Sequence, residues 1–286
     1  MKTKTFLMIA ALLLLPFSSC LKDSNLIDQT SIDLADDNAV SDVAFDDVFN
    51  TVDNASIIME NQIGISKGLL ESGVFLADTC PTVTISAGAF PKTITINYGT
   101  GCTGFYGSTR SGKIIINVTD RRSVVNATRT VTFDNYYFNG IKMEGTKVLT
   151  TLAPNSNQNP RLSVKLNNGK LTLPDGKTIE RSFDHQKEWI HGWDTPKLIG
   201  DDEWLITGIA AGKGIKGVAY TNTILTPLHW TRACEFLVSG SVKFERTGVD
   251  PIILDYGTGE CDAKATVTRG ANTKEITLKH KHRLMQ

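Results

Sequence analysis

Beyond its first twenty residues this chain has no apolar run long enough to cross a bilayer, which takes about 20 residues, and no excess of either charge. It carries 30 Lys and Arg against 30 Asp and Glu, with only five histidines, five cysteines and four tryptophans. Recognisable chemistry is also scarce. There is no Gly-x-Ser-x-Gly elbow, and no phosphate-loop lysine pattern follows its Gly-Thr-Gly turns. The Asp-rich stretch near residue 45 lacks the alternating Asp-x-Asp-x-Asp-Gly loop of a calcium hand. No two cysteines have the close spacing of a zinc knuckle. The expectation is therefore no metal, no cofactor, no nucleic-acid partner and no catalytic residues.

What is present begins with an address. "MKTKTFLMIAALLLLPFSSC" sets Lys2 and Lys4 before an apolar run, Phe6 to Phe17, then two small residues and Cys20. That is the order of a secretory signal. An ordinary signal would be cleaved near Ser18 and Ser19. "FSSC" instead resembles a bacterial lipobox, with Phe17 where leucine is usual. The resemblance implies cleavage before Cys20, lipid on that cysteine and attachment to the membrane through it. The implied location is the outer membrane, on its periplasmic side or at the cell surface. Lys22-Asp23 is a thin version of the acidic surface-export signal of such lipoproteins.

Assigning Cys20 to lipid leaves Cys80, Cys102, Cys234 and Cys261. In an oxidising envelope an even count suggests disulfides, here in any of three pairings. An internal repeat favours one of them. "INYGTGC" at 96–102 returns as "LDYGTGEC" at 254–261, and each cysteine is followed eight residues later by an arginine, Arg110 or Arg269. Equivalent units should close equivalent loops, giving Cys80–Cys102 and Cys234–Cys261. The staples would clamp two β-units spanning 80–118 and 234–279.

Charge is divided along the chain. Residues 21–80 hold twelve acidic and two basic residues, and residues 81–286 hold 18 acidic and 26 basic. The division of the chain follows: a signal over 1–19, a lipidated tether over 20–37, an acidic helical segment over 38–78 and a β-rich domain over 79–286. In the helical segment Val40, Val43, Ala44, Val48 and Val52 recur at helix spacing, widened by Phe45 and Phe49. Asp42, Asp46, Asp47 and Asp53 are expected largely on the other side. Ser41 is a candidate cap, and a second, weaker helix is expected from Ser56 to Leu70. The apolar stripe is expected to pack on the sheet; the acidic side is expected as a solvated face, with docking of the acidic segment on the basic body as the alternative and any ion pairs exposed.

From Pro81 onward strands follow strands, with turn signals at Asn139-Gly140, Asn168-Gly169, Asp175-Gly176 and Ser239-Gly240. Thr178 to Ile190 would place Ile179, Arg181, Phe183, His185, Lys187 and Trp189 on one face and only polar residues on the other. Such a strand belongs to an antiparallel sheet wet on one side. The expected fold is mainly β, a large antiparallel meander forming a curved, partly rolled sheet, with an N-terminal helical segment.

"INYGTGCTGFYGSTRSGKI", "VTFDNYYFNGIKMEGTK", "NNGKLTLPDGKTI", "DDEWLITG" and "LDYGTGECDAKATVT" together resemble a family of Bacteroidota cell-envelope lipoproteins. That resemblance implies a lipid anchor and a β-rich body, and it supplies no activity.

Candidate ligand contacts are few. Trp189, Trp193, Trp204 and Trp230 fall within one stretch with His191, Asp194 and His229. Tryptophan faces can stack on sugars, although rings in such numbers more often form core. Glu188 with Asp194, or Asp201, Asp202 and Glu203, would be the carboxylates of a glycan hydrolase. His280 and His282 alternate in a basic tail. The leading expectation is a non-enzymatic envelope lipoprotein that binds or supports a glycan or an envelope protein. Glycan binding or hydrolysis is one alternative, and lipid handling within a rolled sheet is the other.

Overall fold

The computed structural model describes residues 26–64, 81–104, 107–195, 199–234 and 236–278. The signal, Cys20, Cys80 and the His280/His282 pair lie outside the described residues, as does the expected Cys80–Cys102 bridge through its first cysteine.

Residues 29–63 contain neither glycine nor proline, and they form one helix, α1 (Gln29–Gly64, 36 residues). At about 1.5 Å per residue it is roughly 54 Å long. Asp28 Oδ1 accepts the Ser31 backbone N–H at 2.9 Å, so Asp28 caps the helix. This corrects two expectations. Residues 29–37 are helix and not tether, and the helix runs unbroken past Ser56. Ser41 is no cap: it lies mid-helix and its hydroxyl donates to the Asp37 carbonyl at 2.9 Å. The buried line of α1 runs Leu34, Asn38, Ser41, Phe45, Val48, Val52, Ala55, Met59. Those steps alternate between four and three, which keeps one stripe against a single surface.

That surface is a sheet of 14 antiparallel strands that does not close on itself. Its first half comprises β1 (Thr82–Ile85), β2 (Lys92–Asn97), β3 (Cys102–Thr103), β4 (Thr109–Val118), β5 (Thr128–Phe138), β6 (Ile141–Leu152) and β7 (Arg161–Thr172). The second half comprises β8 (Thr178–His191), β9 (Glu203–Lys213), β10 (Ala219–Thr231), β11 (Ser239–Arg246), β12 (Val249–Thr258), β13 (Lys264–Arg269) and β14 (Asn272–Thr277). Strands pair in chain order, apart from short β3, which hydrogen-bonds to β4 beside the main path. The expected mainly β antiparallel meander is what forms. β8 alternates as its sequence does, with Ile179, Arg181 and Lys187 buried and Glu180, Ser182, Asp184 and Gln186 exposed.

Two of the four turn signals make turns. Asn139-Gly140, both at positive φ, joins β5 to β6, and Asp175-Gly176 joins β7 to β8. Asn168-Gly169 and Ser239-Gly240 instead lie inside β7 and β11, where the register with a neighbouring strand shifts. Turns and bulges both often use positive φ, as Asn168 and Gly240 do here, so the residue types alone do not separate them.

The repeated segments lie toward opposite edges of the sheet, and both use their Asx turn. Asn97 Oδ1 accepts Gly99 N–H at 2.9 Å, and Asp255 Oδ1 accepts Gly257 N–H at 2.8 Å. Tyr98 and Tyr256 are both buried behind the turns. Beyond that the two copies pair differently. Asn97 lies opposite Lys113, whereas Asp255 lies opposite Thr266. The same signature is thus threaded through two different hairpins. Cys234 and Cys261 are bonded, with Cα atoms 5.6 Å apart, tying the β10–β11 connection to the segment after β12.

Candidate functional site: a charged and apolar cavity beneath the helix

The acidic residues of α1 do not face solvent. Asp28 pairs with Arg246 and Arg269, Asp42 with Arg181 at 2.7 Å, Asp46 with Lys187 at 2.9 Å, Asp47 with Arg110 at 2.7 Å and Asp53 with both Arg122 and Arg129. Arg129, Arg181, Lys187 and Arg269 are all buried. The expectation of exposed ion pairs is corrected here: apart from Arg122 in the β4–β5 connection, the cations rise from helix-facing strand positions, and the carboxylates flank the apolar stripe closely enough to meet them. The arginine shared by the two repeats has one role in both, since Arg110 and Arg269 each bind a helix carboxylate.

Between α1, strands β5–β12 and Leu278 beyond β14 lies a cavity of about 180 Å³. A distortion in β10 shapes one wall. Thr223 pairs with Ile209 and Leu228 with Ile206, so four residues of β10 stand opposite two of β9. Pro227 sits in this bulge, where it breaks no regular ladder. Two glycines lie beside it, Gly240 against the bulge itself and Gly208 opposite it on β9, close to β8. A Cβ on Gly208, at φ +130°, would lie 2.2 Å from the Asp184 carbonyl oxygen, and one on Gly240, at φ +104°, 2.4 Å from that of Pro227. Ile224 and Leu228 on either side of the bulge both line the cavity, with Ile206, Trp230, Phe236, Leu237, Val242 and Leu278.

Much of the rest of the lining is polar and charged, among further apolar residues such as Val43, Phe45 and Phe183. The polar part includes Asn38, Asp42 and Asp46 from the helix and Lys147, Arg181, His185, Lys187 and Asn222 from the sheet. Arg181 Nη1 donates to Asn38 Oδ1 and, at 3.3 Å, to the Tyr220 hydroxyl. Asn222 Nδ2 donates to the same Asn38 oxygen at 2.8 Å, and Asn38 Nδ2 donates to Asp42 at 2.7 Å. Two donors remain under-used. Arg181 Nε–H has no hydrogen-bond partner among the described residues. Lys147 is fully buried, and its ammonium donates to the Phe45 backbone carbonyl rather than to a carboxylate.

Electrostatics follow from burial. Burial raises the Asp42 carboxyl to about 6, against the pull of Arg181. Burial also works against charge on Asp46, but Lys187 and Lys147 outweigh it and hold that carboxyl below the ordinary range. The Lys147 ammonium is pushed down to about 7, chiefly by burial. His185 falls to about 3, through burial and then the charges of Arg181 and Lys187, so its imidazole is neutral at physiological pH.

The tryptophans divide. Trp189, Trp204 and Trp230 form one cross-strand row on β8, β9 and β10. Trp189 stacks on Trp204 with ring centres 4.9 Å apart, and Phe49 of the helix meets Trp204 edge-on at 5.8 Å. These rings join core, and only Trp230 lines the cavity. Trp193, at 42% exposure, stands outside the row. His191 is held by the Asp201 backbone carbonyl and His229 by Glu203. The carboxylates suggested for hydrolysis do not converge on the cavity. Glu188 accepts amide hydrogens from Asn155 and Asn159, and none of Asp194, Asp201, Asp202 or Glu203 lines it. Of the candidate ligand contacts only Trp230 lines it, and sequence reasoning missed its charged residues. The available signal was a charged residue, such as Arg181 or Lys187, at an inward strand position.

Among the described residues no group of three or more His, Cys, Asp or Glu side chains is placed to hold a metal, and no helix is long and apolar enough to cross a membrane. No family model, curated protein or solved structure shows a significant match to this chain.

Proposed function

We propose that this protein is a non-enzymatic binding module of the bacterial envelope, held to the membrane by lipid on Cys20, that seats an amphiphilic small molecule between its helix and its sheet. One observation carries the reading: a single cavity has Leu228, Trp230, Phe236 and Leu237 along one part of its wall and Asp42, Arg181 and Lys187 along another. Binding sites are typically concave and apolar with a few placed polar groups, and this cavity has both. The anchor is supported by the signal and by "FSSC". Glycan binding has less support, because the tryptophan row is largely used in packing.

The test is binding of an environment-sensitive apolar dye to the chain from Cys20 to Gln286, with Ala39→Phe as a plug, since Ala39 lines the cavity from the helix. The parent should bind and brighten the dye, and the plugged variant should not. Equal binding by both would overturn the site. Cys20→Ala should release the chain from membranes, and unchanged partitioning would overturn the anchor.

A further inference from the structure

Three cations line the cavity, Lys147, Arg181 and Lys187, with three carboxylates, Asp42, Asp46 and Asp47. Their pairing is uneven. Asp42 is engaged by Arg181 and Asp46 by Lys187, while Asp47 is engaged by Arg110, which is not part of the lining. The Lys147 ammonium donates directly to the Phe45 carbonyl and feels Asp46, Asp42 and Asp47 only through space, and Arg181 keeps one N–H without an acceptor among the described residues. Both cations stand over one ring: Lys147 Nζ lies 5.9 Å and Arg181 Cζ 5.8 Å from the centre of Phe183. A buried cation with no carboxylate in direct contact and a buried donor without an acceptor are each costly. Both are relieved by the same group, an anion with two acceptor oxygens.

We propose that the ligand is a medium-chain carboxylate, with its headgroup between Lys147 and Arg181 and its chain along Leu228, Trp230 and Leu237. This rests on the amphiphile reading above and specifies its chemistry. The size follows from the cavity. Its volume of about 180 Å³ is somewhat more than the ~150 Å³ that holds a benzene molecule, so it accommodates roughly six to eight carbons. The groups facing Lys147 are Asp42, Asp46 and Asp47 from the helix and Lys187 and His185 from the sheet. A bound carboxylate favours the charged form of Lys147, so binding takes up protons near neutral pH and weakens above it.

The experiment is calorimetric titration of the chain from Cys20 to Gln286 with octanoate, octanol and octylamine at pH 6.5, repeated with Lys147→Met. That substitution keeps length and bulk and removes a buried charge that makes no direct ion pair, so the variant should fold. Octanoate should bind at least tenfold more tightly than octanol or octylamine. Lys147→Met should weaken octanoate at least tenfold and change octanol less than twofold. Titrations of the parent at pH 7.5 in two buffers of different ionisation enthalpy should show net proton uptake with octanoate. If octanoate and octanol bind equally, or octylamine binds best, the carboxylate assignment falls and the amphiphile reading stands. If none of the three binds while the parent is folded, both fall.

Discussion

From Ala44 to Met59, α1 meets the sheet through a line of almost wholly apolar side chains, Ala44, Phe45, Val48, Phe49, Val52, Ala55 and Met59. From Asp28 to Asp42 the buried line is thinner and more polar. Leu34 and Ala35 are the buried apolar residues there, and Ser31, Asn38 and Ser41 are buried beside them. The first region is a dry core. In the second, carboxylates and amides are matched to Arg181, Asn222, Arg246 and Arg269. The cavity lies where the two meet. A uniformly apolar helix would close such a gap, because apolar side chains pack in many arrangements, whereas hydrogen-bonded charges hold their distance.

The comparison breaks most severely at Phe45. Phe45→Ala removes a ring that is 1% exposed and should cost about 3–5 kcal/mol in chemical denaturation. A loss under ~1 kcal/mol would mean that the dry region does not hold the helix down. Next comes Arg181→Ala, which leaves Asp42 and Asn38 without their cation and should cost about 3 kcal/mol. The double variant Arg181→Met, Asp42→Leu sharpens the contrast. Replacing a buried pair by apolar residues is often neutral or stabilising by about 1–4 kcal/mol, so the double should melt near or above the parent and well above the single variant.

Lys147 gives a pH signature of intermediate size. Its folded pKa of about 7 lies below its ordinary value of about 10.4, so between those values the unfolded chain binds more protons. Stability should therefore rise as pH increases from 7 toward 10, by about 2 kcal/mol or more, and Lys147→Met should flatten that rise. An identical slope in both chains would place the titration elsewhere. The smallest effect is expected at Lys165, whose pair with Asp184 at 2.7 Å is about half exposed on both sides. Lys165→Met should change stability by less than about 1 kcal/mol, and a larger loss would show that the uncovered face of the sheet contributes more than its exposure implies.

Much of this was legible in the residues. Period-two alternation in β8 gave its faces correctly, because a half-buried strand records burial one residue at a time. The helix stripe at 44–52 was legible for the same kind of reason. The span 29–37 was not, since its few apolar residues, Leu34 and Ala35 among them, are too sparse to outweigh Asp33, Asp36 and Asp37. The opposite charges of residues 21–80 and 81–286 raised docking of helix on sheet as an alternative to a solvated acidic face, but did not indicate that Arg181 and Lys187 would be buried in it. Burial of a charge depends on a partner distant in sequence, and local pattern carries no record of one. The bulge at Thr226-Pro227 was hidden likewise: its consequence is a cavity wall built jointly with Gly208 and Gly240 on other strands.

The cap at Asp28 has a consequence for the order of synthesis. Each strand of the meander finds its neighbour as soon as that neighbour leaves the ribosome or the export channel, because sheet contacts are local in sequence. The helix is made first, yet Asp28 waits for Arg246 and Arg269, the latter 241 residues downstream. Its C-terminal half can dock as soon as β4 and β5 exist, since Arg110, Arg122 and Arg129 lie there. Assembly is then a zipper that opens with Asp53 and closes with Asp28. A chain interrupted after β10, before Arg246 and Arg269, should hold Asp53 protected while leaving residues 28–31 open to protease, making the start of the helix a gauge of whether the last strands have arrived.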